Sequence, residues 1–173
     1  MSDAPPPLDP PRLLTEAHDG AGFDSGEPVL DEWLRRRVWA NQQVAASRTY
    51  VVCPAGTLRV GGFAALSMGQ ILAHETTEAM RRTMKRAIPA IILGRLAIDR
   101  GWQGKGVGRA LLADVIERSL RASREISARL VVVHAISPVA EAFYLHHGFA
   151  RLPVEAPVLA LDLVSYERVG GGL

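Results

Sequence analysis

Apolar residues spaced three or four positions apart predict four helices along the chain. In the first, residues 27–43, four apolar side chains fall on one helical face, namely Leu30, Trp33, Leu34 and Val38. A short basic helix is predicted at residues 76–87, and a long one by the apolar stripe of Val107, Leu111, Leu112, Val115, Ile116 and Leu120. Residues 137–148 predict the last helix, which begins with an N-cap serine and a proline and ends at a glycine.

Runs of alternating or continuous apolar residues predict six strands, at 12–18, 48–54, 59–68, 90–99, 128–136 and 158–163. The turn residues Pro-Ala-Gly-Thr join the second and third strands into an antiparallel hairpin. The order then becomes strand, helix, strand, helix, strand, and a strand–helix–strand connection makes two strands parallel. The predicted fold class is therefore α+β: a mixed, mostly antiparallel sheet with one parallel strand pair at its centre, flanked by helices.

The length of 173 residues suits one domain, which we expect to span residues 12–168. Residues 1–11 hold five prolines and two acids, a composition typical of a disordered leader and not of a signal peptide. Residues 169–173 are expected to form a flexible tail. No apolar run approaches the roughly 20 residues that span a bilayer. Because the lone cysteine, Cys53, has no partner for an intramolecular disulfide, we expect a cytoplasmic protein.

The net charge of +2 conceals a strong asymmetry along the chain. Residues 1–34 carry a net charge of −7 and residues 110–173 one of −1, whereas thirteen bases and three acids give residues 35–109 a net charge of +10. A segment this basic is a candidate binding surface for a polyanion, although charged runs are about as often a solvated face. No cluster of acids, histidines or cysteines has the spacing of metal ligands, so no metal is expected.

A glycine-rich stretch, residues 100–112, lies between a predicted strand and the long predicted helix. The first amides of a helix have no partner within the helix, and together with the helix dipole they favour an anion such as phosphate. Glycines let a phosphate approach these amides without meeting a Cβ atom. A nucleoside-triphosphate loop is excluded because no lysine followed by serine or threonine occurs here, and a dinucleotide fold because the stretch does not follow the first strand.

The sequence QGKGVG at residues 103–108 resembles the Gln/Arg-x-x-Gly-x-Gly/Ala signature of the GCN5-related N-acetyltransferases (GNAT), and the resemblance extends over about residues 12–165. It implies the GNAT fold, with a splayed central parallel strand pair, and acetyl-CoA as the cofactor. The backbone of Leu96, Ala97 and Ile98 would pair with the pantetheine arm. The amides expected to hold the pyrophosphate are those of Gln103, Gly104, Lys105, Gly106, Val107, Gly108 and Arg109.

Tyr144 is the candidate catalytic residue, because it occupies the position of the tyrosine that many GNAT members use as general acid. A phenol can supply, at neutral pH, the proton that a departing thiolate needs. The alternative is a core aromatic residue, since Phe143 and Phe149 are close in sequence. His134 lies inside an apolar strand and is expected to be a core histidine and not a base.

Within the GNAT family the chain most resembles the toxins of toxin–antitoxin pairs that acetylate aminoacyl-tRNA, through segments such as FDSGEPVLDEWL, LGRLAID and AFYLHHGF. The resemblance implies acetyl transfer to the α-amine of aminoacyl-tRNA, a block of translation, and a small ribbon-helix-helix antitoxin as partner. It leaves open whether the chain forms a homodimer.

The basic residues expected to contact tRNA phosphates are Arg35, Arg36, Arg37, Arg81, Arg82, Lys85, Arg86 and Arg95. Two alternatives to the toxin stay open. One is an acetyltransferase for a small amine or a protein amino group. The other is a non-catalytic acyl-CoA-binding regulator or interaction module.

Overall fold

The computed structural model describes residues 7–82 and 84–171. Its helices are α1 (Pro28–Arg36), α2 (Val38–Gln43), α3 (Glu78–Arg81), α4 (Val107–Glu125), α5 (Pro138–His146) and α6 (Leu163–Arg168), with 3₁₀ turns at Ala73–Glu75 and Arg100–Trp102. Its strands are β1 (Arg12–Leu13), β2 (Arg48–Val52), β3 (Gly62–Leu72), β4 (Ala87–Ile98), β5 (Leu130–His134), β6 (Ala150–Arg151) and β7 (Val158–Asp162).

The strands form a seven-stranded sheet in the order β1-β2-β3-β4-β5-β7-β6, which confirms the predicted fold class. β4 and β5 are parallel, in register from Ala90–Leu130 to Leu93–Val133. The β1–β2, β2–β3, β5–β7 and β6–β7 pairs are antiparallel. The described chain divides into two compact units, residues 7–66 with 95–114 and residues 67–94 with 115–171.

The core of the first unit is built around Phe63 of β3, which is fully buried. Phe23 meets its ring edge-on with 5.5 Å between ring centroids, and Trp33 stacks on it at 5.8 Å. Each large apolar side chain removed from water in this way contributes about 1.5–3 kcal/mol to the free energy of unfolding. The same cluster takes up the rest of the predicted helical face, Leu30, Leu34 and Val38, so that face is confirmed.

Two elements of the first unit are shorter than predicted. The single helix expected at residues 27–43 is broken at Arg37, whose φ of −121° lies outside the helical range. The first strand, expected at residues 12–18, ends at Leu13. A turn follows it, in which Nδ1 of His18 accepts a hydrogen bond from the Thr15 N–H at 2.9 Å. Local side-chain hydrogen bonds of this kind compete with strand pairing.

The chain ends differ in part from the expected loose segments. The Asp9 N–H donates to the Cys53 carbonyl at 2.8 Å, and the Ala55 N–H donates to the Pro7 carbonyl at 2.7 Å, so Pro7 and Asp9 of the expected leader have defined partners. At the other end the Gly170 N–H donates to Glu167 at 3.2 Å. The rest of the expected leader and tail, residues 1–6 and 172–173, lies outside the described residues.

The core of the second unit forms where β4, β5 and β7 meet, and includes Ile88, Leu130, Val132, Leu152 and Ala160. The guanidinium of Arg129 forms an ion pair at one end of these strands. Its Nε and Nη2 donate to the two carboxylate oxygens of Asp162 at 2.7 and 2.8 Å, and both side chains are largely buried. The Arg129 N–H also donates to the carbonyl of Pro89 at 2.8 Å, which ties β4 to the same ion pair.

The predicted boundaries of α5 are confirmed. Ser137 Oγ accepts a hydrogen bond from the Ala140 N–H at 3.1 Å, Pro138 is the first helical residue, and Gly148 has a φ of +88° just beyond the helix. Such a backbone conformation is accessible to glycine without strain.

Other predictions in the second unit are wrong. The helix expected at residues 76–87 is confined to α3, and β4 begins at Ala87, so Pro89 lies inside the strand. His134 is exposed at the end of β5 and is not a core residue. Strand β6 and helix α6 have no counterpart in the prediction. Among the described helices, none has an apolar stretch long enough to cross a membrane.

Candidate active site

The segment that joins β4 to α4 is anchored by the buried carboxylate of Asp99. Oδ1 accepts from the Gly101 N–H at 2.9 Å, and Oδ2 accepts from the Asp24 N–H at 3.1 Å. The Asp99 carbonyl accepts from the amides of Trp102 and Gln103. Asp99 thus positions the end of β4, the 3₁₀ turn that follows it and the loop that contains Asp24.

The glycines that follow expose the main chain at the start of α4. Gly104 and Gly106 have φ angles of +71° and +79°, and a Cβ built on either would meet no atom within 4 Å. The first helical hydrogen bond runs from the Ala110 N–H to the Gly106 carbonyl at 3.0 Å. The amides of Val107, Gly108 and Arg109 therefore lie in the first helical turn, where no acceptor exists within the helix. This open, glycine-lined helix start fits the pyrophosphate of acetyl-CoA.

Two side chains of the loop donate hydrogen bonds to main-chain carbonyls of the protein itself. Gln103 Nε2 donates to the carbonyls of Ser25 and Ile98, both at 2.8 Å. Lys105 Nζ donates to the Gly101 carbonyl at 2.7 Å and lies 5.4 Å from the centroid of the Trp102 ring. The Gln103 N–H, which we expected to contact the pyrophosphate, instead donates to Asp99 at 3.1 Å. The Gln103 amide therefore already has a partner within the protein, and pyrophosphate binding by the amides of residues 104–109 stays a prediction.

The end of β4 is the segment expected to pair with the pantetheine arm. Ala97 and Ile98 are buried and Leu96 is half-buried. The Asp99 N–H donates to the Gly61 carbonyl at 3.0 Å, and the Ile98 carbonyl is occupied by Gln103. Ala97 packs in the first-unit core, so its side chain does not face a ligand, and the expected pairing of the main chain of this segment with the pantetheine arm stays a prediction.

Tyr144 lies in the second unit, on α5, and is 5 % exposed. Its ring packs edge-on against Phe143 with 5.2 Å between centroids, and against Phe149 at 5.4 Å. Burial raises the pKa of the Tyr144 hydroxyl well above its ordinary value. The phenol is therefore protonated throughout the physiological range, as a proton donor must be.

Three of the arginines predicted to contact tRNA meet around one groove of the first unit. Arg36, Arg37 and Arg95 line a groove of about 530 Å³ together with Trp33, Glu32, Val29 and Asn41. The Arg95 guanidinium lies over the Trp33 ring, 4.4 Å from its centroid. We call this feature the arginine groove.

The other predicted tRNA contacts lie elsewhere. Arg35 is not part of the arginine groove, because its Nη1 donates to the Phe23 carbonyl at 3.0 Å. In the second unit, Arg81 lines a separate groove with His74 and Arg151. The remaining three, Arg82, Lys85 and Arg86, are exposed residues of the second unit.

Cys53 and the potential metal ligands were considered as parts of a second site among the described residues. Burial raises the pKa of the Cys53 thiol, which is fully buried, so the thiolate is disfavoured. Over the part of the chain that the structure describes, no three histidine, cysteine or acidic side chains are grouped as metal ligands would be.

Comparison with known proteins decides the family. The sequence model of the acetyltransferase (GNAT) domain matches residues 46–151, which is more than half of the chain and includes both the glycine loop and Tyr144. The chain belongs to the GNAT acetyltransferase family. This acetyltransferase is 42% identical over 145 residues to the tRNA-acetylating toxin of Mycobacterium tuberculosis, a match that covers 84% of this chain and 86% of the relative.

Solved structures resemble this acetyltransferase along most of its length. AtaT complexed with acetyl-methionyl-tRNAfMet matches with a TM-score of 0.88 and 27% identity, over 94% of this chain and 99% of that one. A tyrosine-to-phenylalanine mutant of AtaT, bound to acetyl-CoA and the C-terminus of the antitoxin AtaR, matches with a TM-score of 0.81 and 29% identity, over 94% and 97%.

Sequence reasoning missed two residues that shape the site of this acetyltransferase. Asp99 falls at the end of a predicted strand, and the signal that could have shown its role is that an aspartate before a glycine-rich turn is a common turn-forming residue. Trp33 was predicted correctly as a core residue, but its contact with Arg95 joins residues far apart in sequence. No periodicity in the sequence reports such a contact.

Proposed function

We propose that this acetyltransferase transfers the acetyl group of acetyl-CoA to the α-amine of aminoacyl-tRNA, and so acts as a toxin that blocks translation. The observation that carries the proposal is the 42% identity, over most of both chains, to a tRNA-acetylating toxin. The likeness to AtaT complexed with acetyl-methionyl-tRNAfMet supports it independently. The arginine groove supports it physically, because an RNA backbone is bound largely through its phosphates.

Acetyl-CoA supplies the activated thioester when it is bound. In our proposal the amides of Gly104, Lys105 and Gly106, with those of the first turn of α4, hold its pyrophosphate. The main chain of Leu96–Ile98 orients the arm that leads to the thioester. Residues of the protein thereby fix the reacting carbonyl, and a fixed geometry removes much of the entropic barrier to acyl transfer.

Tyr144 is proposed to donate the proton that the departing thiolate takes up. The proton that the amine loses as the amide forms passes through solvent and restores the Tyr144 hydroxyl, so that amine and thioester give amide and free thiol. A phenol is protonated at pH 7 even at its ordinary pKa of about 10, and burial raises the pKa of Tyr144 further, which makes the hydroxyl a weaker acid in the unliganded protein. The role of proton donor therefore rests on the position of Tyr144 and not on its shifted pKa. The attacking amine needs little help, because an α-amine next to an ester is less basic than an ordinary amino terminus, whose pKa is about 7.7–8.0. A substantial neutral fraction is then present at pH 7 without a strong protein base.

The remaining parts of the proposal concern the compartment in which the protein acts and the antitoxin that controls it. Charged tRNA is a cytoplasmic substrate, and we propose that the protein acts there. The AtaT structure with AtaR supports a toxin controlled by an antitoxin, which we propose to be a small ribbon-helix-helix protein. A neighbouring reading frame for such a protein is the simplest genetic check of this point.

The acceptor is tested by incubating radiolabelled acetyl-CoA with charged tRNA, with uncharged tRNA and with a panel of small amines. We expect label on charged tRNA alone. Label on small amines and never on charged tRNA would replace the proposal by acetylation of a small amine. Absence of transfer to every acceptor, with acetyl-CoA still bound, would favour a non-catalytic regulator.

The contribution of the basic residues is tested by salt and by charge reversal. Activity on charged tRNA should fall steeply with salt as bound phosphates release counterions. The double variant Arg81→Glu with Arg82→Glu should weaken tRNA binding and leave acetyl-CoA binding intact. Arg59→Glu with Arg168→Glu, the same change at exposed positions outside the predicted set, is the matched control. Equal loss in both double variants would show that only net charge matters.

A further inference from the structure

The turn that ends helix α5 brings an aromatic side chain back onto Tyr144. Gly148 has a φ of +88° just beyond the helix, and two main-chain hydrogen bonds close the turn around it. The Gly148 N–H donates to the Leu145 carbonyl at 3.2 Å, and the Phe149 N–H donates to the Tyr144 carbonyl at 3.1 Å. These two bonds form a Schellman motif, which is commonly accompanied by a contact between the two outer side chains. In this protein those side chains are Tyr144 and Phe149.

The rings of Tyr144 and Phe149 form a buried pair. Their centroids are 5.4 Å apart, their planes are inclined by 59°, and the two residues are 5% and 3% exposed. Phe143 adds an edge-on contact with the Tyr144 ring, with 5.2 Å between centroids. Aromatic pairs favour such inclined arrangements, and each contact restricts rotation of the Tyr144 side chain. Two neighbouring rings therefore hold the phenol.

The direction of the Tyr144 hydroxyl depends on how its ring is held. A phenol has a single hydrogen to donate, so a tyrosine that protonates a thiolate cannot be anchored by donating that hydrogen to the protein. Its orientation then depends on the main chain of α5 and on the side chains packed against the ring. Phe143 belongs to α5 itself and is half-buried, whereas Phe149 lies beyond the helix and is buried. Phe149 is thus the support that the rest of the fold supplies.

We propose that Phe149 is a positioning residue for the proton transfer: its ring holds the Tyr144 ring in the orientation from which the hydroxyl reaches the departing thiolate. Gly148 contributes through the main chain, because its positive φ sets the turn that brings Phe149 onto Tyr144. This inference rests on the proposed role of Tyr144 as proton donor. It adds that the donor is oriented by the residues that follow α5 and not by α5 alone.

Proton transfer is sensitive to an orientation of this kind. A proton donor must come within about 2.6–3.2 Å of the atom that it protonates. A displacement of about 1 Å at a reacting group can lower the rate about 100-fold. Leucine at position 149 would keep an apolar side chain in the core but would remove the ring that Tyr144 contacts. The change should therefore act on the chemical step through Tyr144.

A double-mutant cycle of Phe149→Leu and Tyr144→Phe tests this dependence. The quantity measured is the single-turnover rate of acetyl transfer by the full-length protein, which separates chemistry from binding and product release. We expect Phe149→Leu to lower this rate about tenfold or more, and to change it less than about twofold when the Tyr144 hydroxyl is already absent. The KM for acetyl-CoA should not change. A change that only loosens the core would lower the rate by the same factor in both backgrounds.

Gly148→Ala is a second variant, in which both rings are kept. A Cβ at Gly148 would meet Leu161 Cδ1 at 3.8 Å, an ordinary contact, so the replacement strains the positive φ without crowding the site. We expect a smaller fall in the single-turnover rate, again only while the Tyr144 hydroxyl is present. Gly56→Ala is the matched control, because Gly56 has a φ of +74° and no atom within 4 Å of an added Cβ. Its rate should equal that of the wild-type protein.

Fluorine NMR reports the surroundings of Tyr144 without any reaction. The sequence has three tyrosines, Tyr50, Tyr144 and Tyr166, so the fluorotyrosine-labelled protein gives three resonances. The resonance that disappears in Tyr144→Phe is that of Tyr144. Phe149→Leu should shift and broaden this resonance and leave the other two in place.

The outcomes separate this inference from the proposed function. Equal factors in both backgrounds, or an unchanged Tyr144 resonance, would make Phe149 an ordinary core residue and overturn the inference while the proposed acceptor stands. A wild-type rate in Tyr144→Phe would remove the proton donor and the inference with it. If label reaches a small amine and never charged tRNA, the proposed acceptor fails, and the same cycle run with that amine decides the role of Phe149.

Discussion

Replacement of Asp99 by asparagine tests whether the glycine loop depends on one buried carboxylate. Asparagine has nearly the same shape, but it offers one acceptor oxygen and one amide group where aspartate offers two acceptors. Both Asp99 oxygens accept from main-chain amides, those of Gly101 and Asp24. One of these amides would then face an N–H donor and lose its partner.

The expected size of the effect follows from these two bonds. A hydrogen bond to a charged acceptor contributes about 1.5–3 kcal/mol, and the bond that survives in the variant weakens as its acceptor becomes neutral. We therefore expect Asp99→Asn to lower the free energy of unfolding by about 2–4 kcal/mol. For a chain of this length that corresponds to a fall in Tm of roughly 5–15 °C. Because Asp99 holds the start of the loop in place, the Kd for acetyl-CoA should rise about tenfold or more.

Thermal denaturation and titration calorimetry with acetyl-CoA measure the two effects. The control is Asp24→Asn, because the Asp24 carboxylate is exposed and only its Oδ1 accepts from a main-chain amide, that of Gly26 at 2.9 Å. The side-chain oxygen of an asparagine still accepts this hydrogen bond, and the exposed ion pair with Arg100 contributes little to stability. The free energy of unfolding of the control should therefore lie within about 0.5 kcal/mol of that of the wild-type protein. Equal behaviour of the two variants would refute the anchoring role of Asp99.

Three further predictions address the chemistry, the loop and the second unit. Tyr144→Phe should lower turnover about 100-fold or more in a steady-state assay while acetyl-CoA affinity is unchanged; wild-type turnover would leave Tyr144 a core residue. Gly106→Asp should abolish acetyl-CoA binding in calorimetry, whereas Gly56→Asp, at an equally open site with a φ of +74°, should bind normally. Asp162→Asn should cost about 3–5 kcal/mol in denaturant unfolding at pH 7, since it leaves Arg129 without its carboxylate.

The same ion pair determines a pH dependence. Burial alone would raise the pKa of Asp162, but the hydrogen bonds and charge of Arg129 outweigh it and hold that pKa below its ordinary value of 3.8. A carboxyl group whose pKa is lower in the folded state stabilises the fold above the unfolded pKa. This contribution to the free energy of unfolding is lost as the pH falls below about 4. In Asp162→Asn, the free energy of unfolding should therefore depend less on pH in this range than in the wild-type protein.

Elements with local signals were predictable from the sequence. Helix α5 carries its cap, its proline and its terminal glycine within a few residues, and all three have the expected roles. The glycine loop was found in the same way, because both its glycines and its place before a helix are local features. Short-range chemistry is sufficient for such elements.

Elements that depend on distant contacts were not predictable. Apolar residues continue at helical spacing from Leu30 to Val38, so periodicity gives no sign of the break at Arg37. Pro89 directly precedes the strand predicted at residues 90–99, yet it lies inside β4, where its carbonyl accepts from the N–H of the distant residue Arg129 at 2.8 Å. His134 continues an apolar run, yet it is exposed at the last position of β5.

The proposed binding of acetyl-CoA through the main chain of the glycine loop divides the positions of the loop into two evolutionary classes. The side chain of Lys105 is already engaged with Gly101, so a saturation-mutagenesis library scored for acetyl transfer should accept many residues at this position. At Gly104 and Gly106 the positive φ angles should exclude almost every replacement, even though there is room for a larger side chain. Sequence drift among homologues should then be rapid at residue 105 and nearly absent on either side of it, a pattern set by backbone torsion and not by crowding.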